Sequence, residues 1–210
     1  MDRYENKIKQ IWKIERNKLK DEIKRNGLPD WLEFKIQKTV SRMNLDKKYI
    51  NIIKTSILKD DLLLSFFMKD PKRQNIYENI FKDELIKEGL DIQKLPQNGS
   101  KAFYLLNDEV VSNPVNKPKE LKSLDFVINK NGRQIYVVNK YTNEPGGAQD
   151  DQYNDVITQL KNLGDNTCDK VLFCLDGNYY TDDKISKLRE INYKAHIINI
   201  EQLIKRKKEL

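Results

Sequence analysis

Two runs of strand-forming residues, Leu124-Asp-Phe-Val-Ile128 and Gln134-Ile-Tyr-Val-Val138, flank the segment Asn129-Lys-Asn-Gly132. Asparagine followed by glycine tolerates the positive φ angles of a tight hairpin turn, so the spacing predicts two antiparallel strands joined at that point. A hairpin also brings together the strand ends far from its turn. Those ends carry Asp125, at the start of the first strand, and Lys140, just past the second.

The other elements follow from periodicity. Apolar residues recur at helical spacing from Ile8 to Ile23, Gly27-Leu-Pro29 breaks the pattern, and Asp30 can start a second helix. Trp31, Phe34, Ile36 and Val40 give the second apolar pattern, and Tyr49 to Met68 a third, ending at Asp70-Pro71. Residues 1–71 are therefore expected to be a helical segment, with Trp12, Trp31 and Phe34 as core residues. From residue 72 the reading is different. A helix is expected over Gln74–Gly89, a short strand over Ile92–Leu95, and mostly loop over 96–122, with one strand at Ala102–Leu106. After the hairpin come a helix from Ala148 to Leu163, a buried strand Lys170–Leu175, a helix Asp182–Glu190, a strand Ala195–Ile200 and a closing short helix. The order predicts an α/β fold, a mixed sheet flanked by helices.

Composition narrows the partners. The chain has 210 residues, with 39 Lys and Arg against 32 Asp and Glu, a formal charge of +7. That balance mildly favours a polyanion. No run of residues approaches the ~18–20 apolar positions of a membrane span, and the first residues have no apolar signal core. With only Cys168 and Cys174, and one histidine, a zinc cluster is not expected. The cytoplasm is the expected compartment. Cys174 and His196 lie in apolar runs and read as core residues.

Asp125 and Lys140 suit phosphodiester hydrolysis. Magnesium prefers hard oxygen ligands, typically one or two carboxylates with retained water. A lysine nearby can orient or deprotonate an attacking water, and paired strands hold both groups rigidly. The plain alternatives are a solvated strand-end acid and an edge-strand charge that discourages aggregation.

At these residues the sequence resembles the PD-(D/E)XK nuclease superfamily, which includes many type II restriction endonucleases and junction resolvases. Leu124-Asp125 stands where the family has Pro-Asp, and Val138-Asn139-Lys140 where it has an acid, any residue and lysine. The likeness covers about Gln74 to Ile200 and implies a restriction-endonuclease-like fold with a nuclease core over 72–210. It implies Asp125 as a magnesium ligand, Lys140 as the water-positioning cation and the Asn139 carbonyl as a further ligand. The chain departs from the pattern at Val138, which occupies the place of the second acid. Glu78, on the helix before the hairpin where some members of the family place an active-site glutamate, is the first choice to replace that acid as a catalytic residue and magnesium ligand, and Asp151 and Asp155, four apart on the helix after it, are the second. The run Thr142 to Gln152 is similar to the segment that follows the lysine in restriction enzymes. It implies DNA contacts from Asn143, Gly146, Gly147, Gln149, Asp150 and Gln152. The glycines would allow close backbone approach, and the glutamines could read adenine edges. No Gly-Lys-Ser/Thr follows Gly146-Gly147, so a P-loop is not indicated.

The expectation is a magnesium-dependent type II restriction endonuclease that cuts double-stranded DNA at a short palindrome as a homodimer. The helical segment would serve dimerisation or embrace DNA. The alternatives are a structure-specific nuclease of the junction-resolvase kind and a non-catalytic DNA-binding protein on a decayed nuclease fold.

Overall fold

Helix-forming sequence with a single apolar stripe must bury that stripe against other helices. In the computed structural model, which describes residues 3–70, 75–112, 114, 117–143 and 146–209, this happens in the first of two compact units, residues 1–77 and 78–210. Pro71, Gln74, Glu144 and Pro145 lie outside the described residues. The expected boundary at 71/72 is found at 77/78.

In the first unit, α1 (Arg3–Asn26) ends at Gly27, whose φ of +80° suits a residue without Cβ. Three more helices follow: α2 (Asp30–Arg42), α3 (Lys48–Ser56) and α4 (Asp61–Phe67). Leu19, Ile23, Leu32, Ile36, Ile57, Leu64 and Phe67 form their shared core. The Tyr49–Met68 pattern is thus two helices. The Asp60 carboxylate accepts from the Leu62 and Leu63 amides and starts α4 afresh. Trp12 and Trp31 pack against the core, but Phe34 is 65% exposed. It lies off the buried stripe formed by Leu32, Ile36 and Val40.

The second unit is α/β. The helix α5 (Ile76–Lys87) begins at the boundary and ends at Gly89, φ +81°. The strands β1 (Asp91–Lys94), β4 (Phe126–Lys130), β5 (Arg133–Tyr141), β6 (Val171–Asp176) and β7 (His196–Ile198) form one sheet in that spatial order. The pairs β1–β4 and β4–β5 are antiparallel, and β5–β6 and β6–β7 are parallel. The crossovers are α6 (Gly147–Lys161) and α7 (Asp182–Ile191), and α8 (Ile200–Lys205) follows β7. The hairpin turn is the two residues Asn131 and Gly132, both at positive φ, between the paired Lys130 and Arg133. A second hairpin lies where mostly loop was expected. Strands β2 (Phe103–Leu106) and β3 (Glu109–Ser112) pair across Asn107-Asp108, again at positive φ.

Successive residues of a strand face opposite sides of the sheet. Val127, Val138, Phe173 and Leu175 share one apolar cluster with Val156 and Leu160 of α6 and Leu188 of α7. The other side presents Phe126, whose ring meets that of Phe81 on α5 at 5.2 Å. Helices α6 and α5 therefore cover opposite faces. Cys174 is fully buried as expected, whereas His196 is exposed beside Asp169 at 3.7 Å and is no core residue. It sits on a three-residue edge strand, where one face remains in water.

Candidate active site

The β4–β5 ladder ends at the pair Phe126–Val137. Beyond it, the Asp125 amide still donates to the Val137 carbonyl at 2.9 Å. The next inward-facing amide of β5, that of Asn139, finds no carbonyl and donates instead to Asp125 Oδ2 at 2.8 Å. Lys140 Nζ donates to the same oxygen at 3.0 Å. Asp125 is only 4% exposed. Its carboxylate both closes the ladder and meets a largely buried ammonium, so removing either charge would leave the other unpaired in a poorly solvated place. Such a loss costs about 3–5 kcal/mol.

Pleating puts Lys140 on the side of Val138, and the Asp125 carboxylate meets the Lys140 ammonium there. Both therefore face α6. Asp155 on that helix has its carboxyl pushed up from the usual range, mainly by burial. The lysines Lys122 and Lys140 act against that rise, while Asp151 and Asp125 add to it. Asp155 on α6 therefore feels the charges of both Lys140 and Asp125, with burial as the larger influence on it. Asp151, one turn earlier, is exposed. Glu78 has another partner: it forms an ion pair with Lys94, on the strand position paired with Phe126. Directly paired residues face the same side, so Glu78 belongs to the α5 face, away from Asp125 and Lys140. The structure brings Asp155 toward the pair and does not bring Glu78.

In a β-strand the N–H and C=O of one residue point the same way. The Asn139 amide points at Asp125, so its carbonyl also points toward the end of β4, away from β6. Its side chain is buried with Nδ2 lacking a hydrogen-bond partner among the described residues.

The segment after Lys140 is more internally tied than a free recognition loop. Thr142 is buried, and its hydroxyl donates to Gln152 Oε1 at 3.0 Å. The Asn143 side-chain oxygen accepts from the Asn178 amide at 3.1 Å. Asp150 accepts from the Tyr179 hydroxyl at 2.5 Å. Gly146 and Gly147 are exposed at the start of α6, with the Gln149 side chain folded back against Gly146. Gly177, φ +98°, lets the turn after β6 close on this segment. A Cβ there would sit 2.2 Å from the Thr142 carbonyl oxygen.

Two residues near the site were not anticipated. Lys122 bears on Asp155, and Tyr180 has a hydroxyl shielded from solvent beside Thr142, in electrostatic contact with Asp155. Tyr180 follows β6, whose C-terminal end lies next to that of β5 because the two are parallel. Loops at the C-terminal ends of parallel strands form the crevices of open sheets, and that rule pointed to it.

Among the described residues no three His, Cys, Asp or Glu side chains gather as a metal cluster. Magnesium does not require three: one or two carboxylates with retained water suffice. Asp125 and the Asn139 carbonyl at the strand end, and Asp155 on α6, are all hard oxygen donors, and they suit that ion in kind. Comparison with family models, curated proteins and solved structures finds no match in any of the three.

Proposed function

We propose that the chain is a magnesium-dependent nuclease that hydrolyses phosphodiester bonds of double-stranded DNA. The observation that carries this reading is the buried Asp125–Lys140 pair, 3.0 Å apart, with Asp155 electrostatically coupled to both from α6. A single aspartate next to a lysine is also a simple ion pair. A second carboxylate on the same sheet face, held where burial resists its charge, is less easily explained by stability alone.

Asp125, Asp155 and the Asn139 carbonyl would hold the ion. When bound it would supply charge neutralisation at the phosphate and a more acidic attacking water. Lys140 donates to Asp125 in the resting site. With that carboxylate engaged elsewhere, its ammonium is released to orient a water or a phosphate oxygen. The Asn139 amide keeps Asp125 on its ladder position throughout.

The finer reading, a type II restriction endonuclease acting as a homodimer at a palindrome, rests on the resemblance of the motif. Incubating the chain with a mixed-sequence plasmid and magnesium tests it. Discrete fragments are expected. Cutting confined to branched DNA would indicate the junction-resolvase kind, and no cutting of any DNA would leave a binding protein.

A further inference from the structure

The positive charge of the chain is not shared between its two units. Residues 1–77 carry 19 Lys and Arg against 11 Asp and Glu, whereas residues 78–210 carry 20 against 21. The helical unit is thus +8 and the unit with the candidate active site −1. A nearly neutral core has little electrostatic grip on a polyanion.

Within the helical unit, α1 carries Lys9, Lys13, Arg16, Lys20 and Lys24. At ~100° per residue these five fall within about 80° of one another, along roughly 22 Å of helix. Arg16 and Lys20 are held by Asp61 on α4, Arg16 at 3.3 Å and with a further bond to Ser65 at 3.1 Å. Lys9, Lys13 and Lys24 are exposed and form no ion pair among the described residues. Among the described residues, Asp61 is the carboxylate that pairs with this row of five cations. Like charges three and four residues apart destabilise a helix by ~0.2–0.5 kcal/mol per pair, so folding alone disfavours this row. Glu5, one turn before Lys9, lies on the same face and bounds the row at that end, whereas Glu15, Asp21 and Glu22 of α1 lie on other faces.

We propose that the Lys9–Lys24 face of α1 docks on the phosphate backbone of duplex DNA and supplies the grip that the core lacks. The choice of duplex DNA rests on the nuclease reading; the need for a polyanion rests on the charge row itself.

The test is binding of the full chain to a fluorescent mixed-sequence duplex by anisotropy, in EDTA to prevent cutting, across a salt series. The wild-type chain should bind, with affinity falling steeply as salt rises. Replacing Lys9, Lys13 and Lys24 together by Ala should weaken binding ~10–100-fold and lower the log–log salt slope by about 2–3, at ~0.9 per lost phosphate contact. The melting temperature should hold or rise, since only exposed, unpaired lysines are removed. Replacing Lys205 and Lys208 by Ala should change the slope by less than ~1. An unchanged slope in the triple variant overturns the proposal. So does a wild-type chain that ignores duplex DNA, including one that binds anionic phospholipid vesicles or single-stranded RNA instead. A chain that binds duplex DNA through this face yet never cuts it keeps the proposal and loses the nuclease reading.

Discussion

Helices α5 and α6 both pack on the central sheet, and both bring an acid to within a turn or two of the β4–β5 strand ends. Their acids differ in what they meet. Glu78 on α5 finds Lys94 and is neutralised there. Asp155 on α6 faces an arrangement that already contains a carboxylate and a lysine, with burial opposing its charge. The difference comes from the two sheet faces: Phe126 meets α5, whereas Lys140, which holds Asp125, stands on the face of Val138 that packs against α6. A helix acid can serve the site only from the face that Asp125 and Lys140 occupy.

The largest expected effect breaks the comparison at its fixed point. Asp125→Asn and Lys140→Ala should each reduce cleavage by ~10³-fold or more while DNA affinity stays close to wild type, because both groups act in the chemical step. Single-turnover cleavage and anisotropy measure the two separately. Cutting at near wild-type rate by either variant ends the nuclease reading. The folding of each variant needs a melting curve, since the pair also closes the ladder.

Next comes the strand position itself. Val138 is fully buried in the cluster with Phe173, Val156 and Leu160. Val138→Glu, which places an acid where the resembled motif has one, should destabilise the chain by about 3–5 kcal/mol, the scale of an uncompensated buried charge. Urea unfolding reads this directly. A variant as stable as wild type would mean that position 138 can reach the site, and the case for an acid from a helix would weaken.

How much of this was legible follows from the range of the interactions. The Asn131-Gly132 turn is local, so the hairpin and the placement of Asp125 and Lys140 at its open end could be read from the residues. The second hairpin had the same kind of signal, Asn107-Asp108 between Phe-Tyr-Leu-Leu and Glu-Val-Val-Ser, but the Pro- and Lys-rich stretch after it obscured the strand. Phe34 and His196 show the limit of apolar runs: each lies in one, yet a helix stripe and an edge strand leave particular positions in water. The competition between Glu78 and Asp155 was not legible at all. It depends on which sheet face each helix covers, and that is set by packing between residues far apart in the chain, such as Phe81 on Phe126.

A smaller effect sharpens the comparison from the α6 side. Asp155→Asn should slow cleavage at least ~100-fold, the scale of losing one electrostatic group, and raise the magnesium needed for half-maximal rate. Asp151→Asn should do much less, since Asp151 is exposed and lies one turn before Asp155. Rates of both variants over a magnesium titration decide it. Equal losses would point to the helix start as a whole and away from Asp155.

The smallest effect is expected from Glu78→Gln, and its smallness is the informative part. Glu78 and Lys94 side chains are 28% and 27% exposed, and only the Glu78 Oε2 that meets Lys94 is itself shielded from water. An ion pair of that kind is worth ~0–1 kcal/mol. Glutamine keeps the shape and an oxygen acceptor, and the Lys94 ammonium can extend into solvent along its own stem. Stability should fall by less than ~1 kcal/mol, and the cleavage rate and magnesium dependence should stay within a few-fold of wild type. The opposite pattern, a severe loss in Glu78→Gln beside a mild one in Asp155→Asn, would require α5 to deliver its acid around the edge of β4 during the reaction. It would transfer to Glu78 the role argued here for Asp155.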